Sequence, residues 1–225
     1  DGQATAVESP KQLLSDVIPA LLDAVLGADS SVRSSGFDLV GAWAEDRDIA
    51  LYIRNPELEQ FADRWGVAGR VYALPMKFSG DYLAVVPANI GGGKTDIFMD
   101  QHIQLDSQIG LDGLVTNQLS IMRAHRGHES SYWWYRVPNR TYMQIFTPPE
   151  SEVISASGLR TLRPAPKASS YAAYIKDADV VALESSARAV PGVSALTESF
   201  QSGKSVFSGW VTTSLYTTST IGVAY

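Results

Sequence analysis

Cysteine is absent from the 225 residues, which excludes disulfides, thiolate metal sites, iron–sulfur clusters and a cysteine nucleophile. The absence fixes no compartment, because cytosolic and secreted proteins alike can do without cysteine. Positive charge is also in short supply. Eighteen Lys and Arg stand against 24 Asp and Glu, a net charge of −6, so there is no chain-wide cationic footprint for nucleic acid. No run approaches the roughly 18 uninterrupted apolar residues of a membrane-spanning helix, and no charged stretch leads into an apolar one as in a secretory signal. The chain opens on Asp1 rather than methionine, which reads as a processed protein or a fragment. Membrane attachment is therefore expected only through an anchor outside these residues.

What is present suffices for a core. With 45% hydrophobic residues, a chain of this length can bury about 70% of its unfolded surface without staples, as one large domain or two small ones. Residues 1–77 read as mainly helical, in the manner of the tail of a larger α/β domain. Ser9, Pro10 and Gln12 form a capping box ahead of Leu13, Leu14, Val17, Ile18, Leu21, Leu22, Val25 and Leu26, which follow helical spacing to Gly27. Pro19 should kink or split that helix. A second helix is expected around Phe37 to Ala44, and a short strand over 48–54. Asn55-Pro56-Glu57 then opens a third helix with a buried stripe of Leu58, Phe61, Ala62 and Trp65, closed by Gly66.

Beyond Phe78 the period shifts from 3.6 to 2. Strands are expected at 80–88, at 95–106, and in a third stretch holding Val115, Leu119 and Ile121. Others are expected at 140–147, 152–156, 205–213 and at the C-terminus. In the second of these, Ile97, Met99, Ile103 and Leu105 share the apolar face. Residues 159–201 are rich in Ala and Ser and read as a long insertion with one short element near 171–183. The expected fold class is α+β: an N-terminal helical segment packed on a mainly antiparallel β-sandwich, immunoglobulin-like, over 78–225.

Few motifs carry chemistry. Gly91-Gly92-Gly93-Lys94-Thr95 suggests a phosphate loop, but Ala88 stands where the first glycine should, and a strand pattern follows where a helix is required. His125 and His128 are spaced i, i+3 across Gly127, unlike helical zinc motifs, and read as a solvated loop; no metal and no cofactor is expected. Tyr132-Trp133-Trp134-Tyr135 is the most unusual stretch. Four adjacent aromatics cannot all enter one core from a strand, so they either stack on sugar rings or anchor a partner, or form a loop packed back on the core. No catalytic carboxylate pair or triad is marked by spacing. Asn139-Arg140-Thr141 fits a glycosylation acceptor, and Arg160, Arg163 and Lys167 form a small basic patch.

Four ordered stretches resemble a bacterial family known as domain of unknown function 4012. They are Asp48 to Ile53 through Gly66 to Val71; Gly80 to Val86 with Asn89 and Lys94 to Asp96; Asn139 to Tyr142 with Pro148 to Gly158; and Gly203 to Trp210. The resemblance implies a membrane-anchored protein whose large domain lies outside the cytoplasmic membrane, with no established activity. Fuller members carry an upstream region distantly similar to the LytR–CpsA–Psr enzymes, which transfer glycan polymers to the cell wall. Its Arg-Pro-Thr-Gly-Gly-Phe-like motif does not occur here, so no catalytic residue is carried over.

Two functions are thus expected of the chain. One is a non-enzymatic extracytoplasmic module of the bacterial cell surface, structural or adhesive, meeting cell-wall glycan or another surface protein. The other is the accessory half of a glycan-transferring enzyme whose catalytic part lies upstream in the same protein. Candidate contact residues are Tyr132, Trp133, Trp134, Tyr135, Arg70 and Lys94, with no nucleic acid as partner.

Overall fold

A computed structural model describes residues 12–46, 48–75, 77–78, 80–90, 93–160 and 175–225. It divides into two units, Asp1–Tyr72 and Ala73–Tyr225. In the first, helical spacing yields α1 (Gln12–Leu26), α2 (Ser30–Glu45) and α3 (Pro56–Arg64). The Ser9 and Pro10 part of the expected capping box lies outside the described residues. Pro19 neither ends nor splits α1, which continues past it at the cost of one backbone hydrogen bond. The N-terminus of α3 is built as its residues dictate. Asn55 Oδ1 accepts from Glu57 N at 2.9 Å and Leu58 N at 3.3 Å, Pro56 occupies the first turn, and Gly66 closes the helix at φ +71°.

Two expectations for this unit are corrected. The alternating stretch 48–54 forms no strand: a single parallel bridge joins Leu51 to Ala68, through Leu51 N to Val67 O at 2.7 Å and Gly69 N to Leu51 O at 2.8 Å. Alternation without a ladder to pair with does not make a sheet. The α3 stripe is also not buried as a whole; Ala62 is, but Leu58, Phe61 and Trp65 are exposed, the two rings lying 5.7 Å apart.

The second unit is mixed α+β with two antiparallel sheets. Among the described residues, one sheet has five strands, ordered β1 (Ala84–Ala88), β4 (Asn139–Thr147), β8 (Lys204–Thr213), β7 (Val193–Gln201), β6 (Arg188–Val190). The other has four, ordered β2 (Met99–Ile109), β3 (Val115–His125), β9 (Thr218–Ala224), β5 (Ser155–Ser157). One helix, α4 (Ala178–Ser186), precedes β6. The period-2 pattern does the positioning. Asn117, Leu119, Ile121, Arg123 and His125 of β3 are all buried, while their neighbours along the strand are not. Leu119, Ile121, Ile221 and Val223 from one sheet and Met143, Ile145, Phe207 and Val211 from the other meet in one hydrophobic core.

The structure departs from the sequence pattern at four places. β1 begins at Ala84 rather than Gly80. Residues 95–98 form a 3-10 turn ahead of β2, because the Thr95 and Asp96 side chains are held by Asn139. Ile103 and Leu105 of β2 stay exposed, since β2 is an edge strand. Within the stretch read as an Ala/Ser-rich insertion, β6 and β7 form a hairpin, and β7 pairs with β8 across Ser202-Gly203. Both of these turn residues have positive φ, +51° and +72°, as a two-residue type I′ turn requires.

Candidate aromatic contact site

The residues between β3 and β4 make two 3-10 turns, Gly127–Glu129 and Trp133–Tyr135. Such a turn sends successive side chains about 120° apart, so four adjacent aromatics here need not enter one core. Tyr135 turns inward, its ring 5.0 Å from Phe98 in an edge contact. The others stay outside. Tyr132 is 55% exposed, Trp133 71% and Trp134 38%. They pack on each other: Tyr132 stacks on Trp134 at 4.6 Å with 22° between planes, and Trp133 meets Trp134 edge-on at 6.0 Å. Of the expected packing back on the core, the structure shows only the half-buried Tyr135 against Phe98, and neither ring belongs to the hydrophobic core between the sheets.

What fixes this ledge lies beneath it. His125, expected in a solvated loop, is instead the buried end of β3. Its Nδ1 accepts from Gly127 N at 3.0 Å, which leaves Nε2–H to donate to the Val137 carbonyl at 2.9 Å. Gly127 is required for close approach, since a Cβ there would lie 1.9 Å from the Tyr135 carbonyl oxygen. Arg136 Nε donates to Ser130 O at 2.9 Å, and Arg126 pairs with Asp100 at 2.6 Å and Glu129 at 3.2 Å. His128 stacks on Tyr216 at 4.6 Å. Among the described residues no three His, Asp or Glu side chains gather as a metal site would require.

Below the turns sits a charged group that no sequence motif marks. Arg123 is 2% exposed. Its Nη1 donates to Gln101 Oε1 at 2.5 Å, and Nη2 reaches Asp96, Asn139 and Thr141 at 3.4–3.5 Å. Nε is buried without a hydrogen-bond partner among the described residues. Burial pushes the guanidinium below its ordinary pKa, and the Asp96 charge opposes the shift. Only the alternation of β3, which turns position 123 inward, could have signalled it.

The remaining candidates separate. Lys94 is exposed just before the 95–98 turn, and its neighbour Gly93 lines a shallow cleft of about 330 Å³ with Asn89, Val137, Pro138 and Arg140. Gly91 and Gly92 lie outside the described residues. The turn after Lys94 runs into a strand, without the helix a phosphate loop needs. Arg70 belongs to the first unit, where Asp63 accepts from its Nε at 2.9 Å and raises its pKa. Asn139 is buried at 1% exposure, which removes it as a glycosylation acceptor. Of the basic patch, Arg163 and Lys167 fall outside the described residues, and Arg160 bridges to Trp210.

A second cavity, about 440 Å³, is lined by Asp81, Asn117, Glu150, Glu152, Ile154 and Tyr225 among others. Burial, then the Asp81 charge, push the Tyr225 hydroxyl up to about 12. No protein-family model, curated protein or solved structure matches the chain. Among the described residues no helix is long and apolar enough to cross a membrane.

Proposed function

We propose that this chain is a non-enzymatic, extracytoplasmic module of the bacterial cell surface, structural or adhesive. In this reading its two sheets form an immunoglobulin-like sandwich that presents the Tyr132–Trp134 ledge to a cell-wall glycan or another surface protein. The single observation that carries the reading is the ledge itself. Three large aromatics stand exposed side by side on a segment fixed from below by His125, Gly127 and Arg136. Flat aromatic faces stack on the apolar faces of sugar rings, and Trp and Tyr are the residues that most often anchor protein interfaces. Lys94 would add a cation for an anionic polymer. The resemblance to domain of unknown function 4012 supports the compartment.

Cosedimentation with purified bacterial wall sacculi tests the glycan reading. The protein should pellet with the walls, and Trp133→Ala should leave it in the supernatant while keeping its far-UV spectrum. Equal pelleting of both proteins would remove the ledge from the account.

A second reading, the accessory half of a LytR–CpsA–Psr-like glycan-transferring enzyme, draws on the exposed apolar stripes of α1 and α3, which suit a helical segment covered by a larger domain. It requires Arg70 and Lys94 to hold polymer, so Arg70→Ala with Lys94→Ala should abolish binding. Unchanged binding would argue against the involvement of both residues and so against this second reading.

A further inference from the structure

The β2 strand ends its sheet with 11 residues in unbroken register against β3 and no bulge. It contains no proline or lysine, two of the residues by which proteins close such edges to further pairing. Two bonds fix the phase of its ladder: Arg126 N donates to Phe98 O at 2.8 Å, and Gly110 N to Leu114 O at 2.8 Å. Even-numbered residues of β2 therefore spend their main-chain groups on β3, and odd-numbered ones turn theirs to the open edge. Met99 N–H is taken by Asp96 O. Among the described residues this leaves Gln101, Ile103, Leu105, Ser107 and Ile109 to offer both N–H and C=O.

We propose that β2 pairs antiparallel with β2 of a second copy of this chain, about a two-fold axis through Gln104, joining two four-stranded sheets into one. The sequence is self-complementary about that point. Gln101 falls opposite the partner's Ser107 and Ile103 opposite the partner's Leu105, all four with groups free to bond. Ile103 and Leu105, exposed in the single chain on the face that should be apolar, then cover one another. On the other face His102 meets the partner's Asp106, and Asp100 meets the partner's Gln108, so no like charges oppose. The neighbouring register centred on Ile103 would set Asp100 against Asp106, and like charges directly opposite destabilise a pair. A two-fold interface closes on itself and leaves no further edge on β2.

Because the chain has no cysteine, one introduced thiol reads the register. Gln104→Cys would face its own copy across a non-hydrogen-bonded pair, whose Cα separation of about 4.5 Å suits a disulfide. With oxidised glutathione it should give a covalent dimer, whereas His102→Cys and Gln108→Cys alone should not. The unmodified chain should sediment as a dimer at about 100 µM. His102→Asp should weaken association about tenfold, and adding Asp106→His should restore it. A monomer at that concentration, or equal cross-linking at 102, 104 and 108, would overturn the proposal.

Discussion

In residues 73–225, Leu119, Ile121, Met143, Ile145, Phe207 and Ile221 come from four strands, β3, β4, β8 and β9, and bury one another almost completely. In residues 12–72, stripes of equally apolar residues, among them Leu13, Ile18, Leu21, Trp43, Phe61 and Trp65, stay exposed, and of the described residues only Ala62 is buried. Both regions carry the correct period for their elements. Caps and spacing make a helix locally, but burial needs partners from distant sequence, and the second unit supplies its own while the first does not.

The comparison breaks most visibly if the units are separated. Residues 73–225 alone should unfold in one cooperative transition, and residues 1–72 alone should show none, by near- and far-UV circular dichroism against urea. Cooperative unfolding of 1–72 would mean its helices close a core after all. Next in size, Phe207→Ala should cost about 3–5 kcal/mol in urea titrations, and Phe61→Ala under about 1 kcal/mol, because only the former leaves a cavity. Similar losses would erase the contrast.

Polar groups differ between the two units in the same way. Arg123→Ala should cost about 3 kcal/mol, since it takes a partner from Asn139 and Thr141 in the interior, and Arg123→Met should cost less. Exposed Arg70, paired with Asp63 in the first unit, should give no measurable change when replaced by alanine.

Tyr225 gives a smaller, pH-dependent effect. Its folded pKa of about 12 lies above the ordinary tyrosine value of 10.0, so the native state holds the proton more tightly than the unfolded one. That stabilisation is complete below pH 10 and is lost as pH rises toward 12. It amounts to about 2–3 kcal/mol. Tyr225→Phe should remove this part of the alkaline loss, as read from urea midpoints across that range.

Much of this architecture is legible in the sequence. Asn55-Pro56 and Gly66 bounded α3, and the alternation of Val115, Leu119 and Ile121 marked β3. The misses have physical causes. Over 48–54 the alternation was real, but strand pairing is a non-local property that no short stretch encodes. The β7–β8 hairpin carried a readable Ser202-Gly203 turn, yet β7 mixes Thr, Glu, Ser and Gln with Leu196 and so hides its period. For the site, the aromatic run was visible in the sequence, and so was the need for some of it to lie at a surface; which rings would do so was not. Strand alternation was the wrong template for residues that lie on a 3-10 turn. Arg123 was unmarked, and His125 was read as part of a solvated loop, because their roles depend on partners 12 or more residues away, at Val137, Asn139 and Thr141.

The ledge is the centre of the functional account, and one titration addresses it directly. Soluble wall-glycan fragments should change the intrinsic tryptophan fluorescence of the protein saturably, and Trp133→Ala should weaken that binding about tenfold or more with no loss of stability. Saturable binding of equal affinity in both proteins, or none in either, would contradict a glycan-binding role for Tyr132, Trp133 and Trp134.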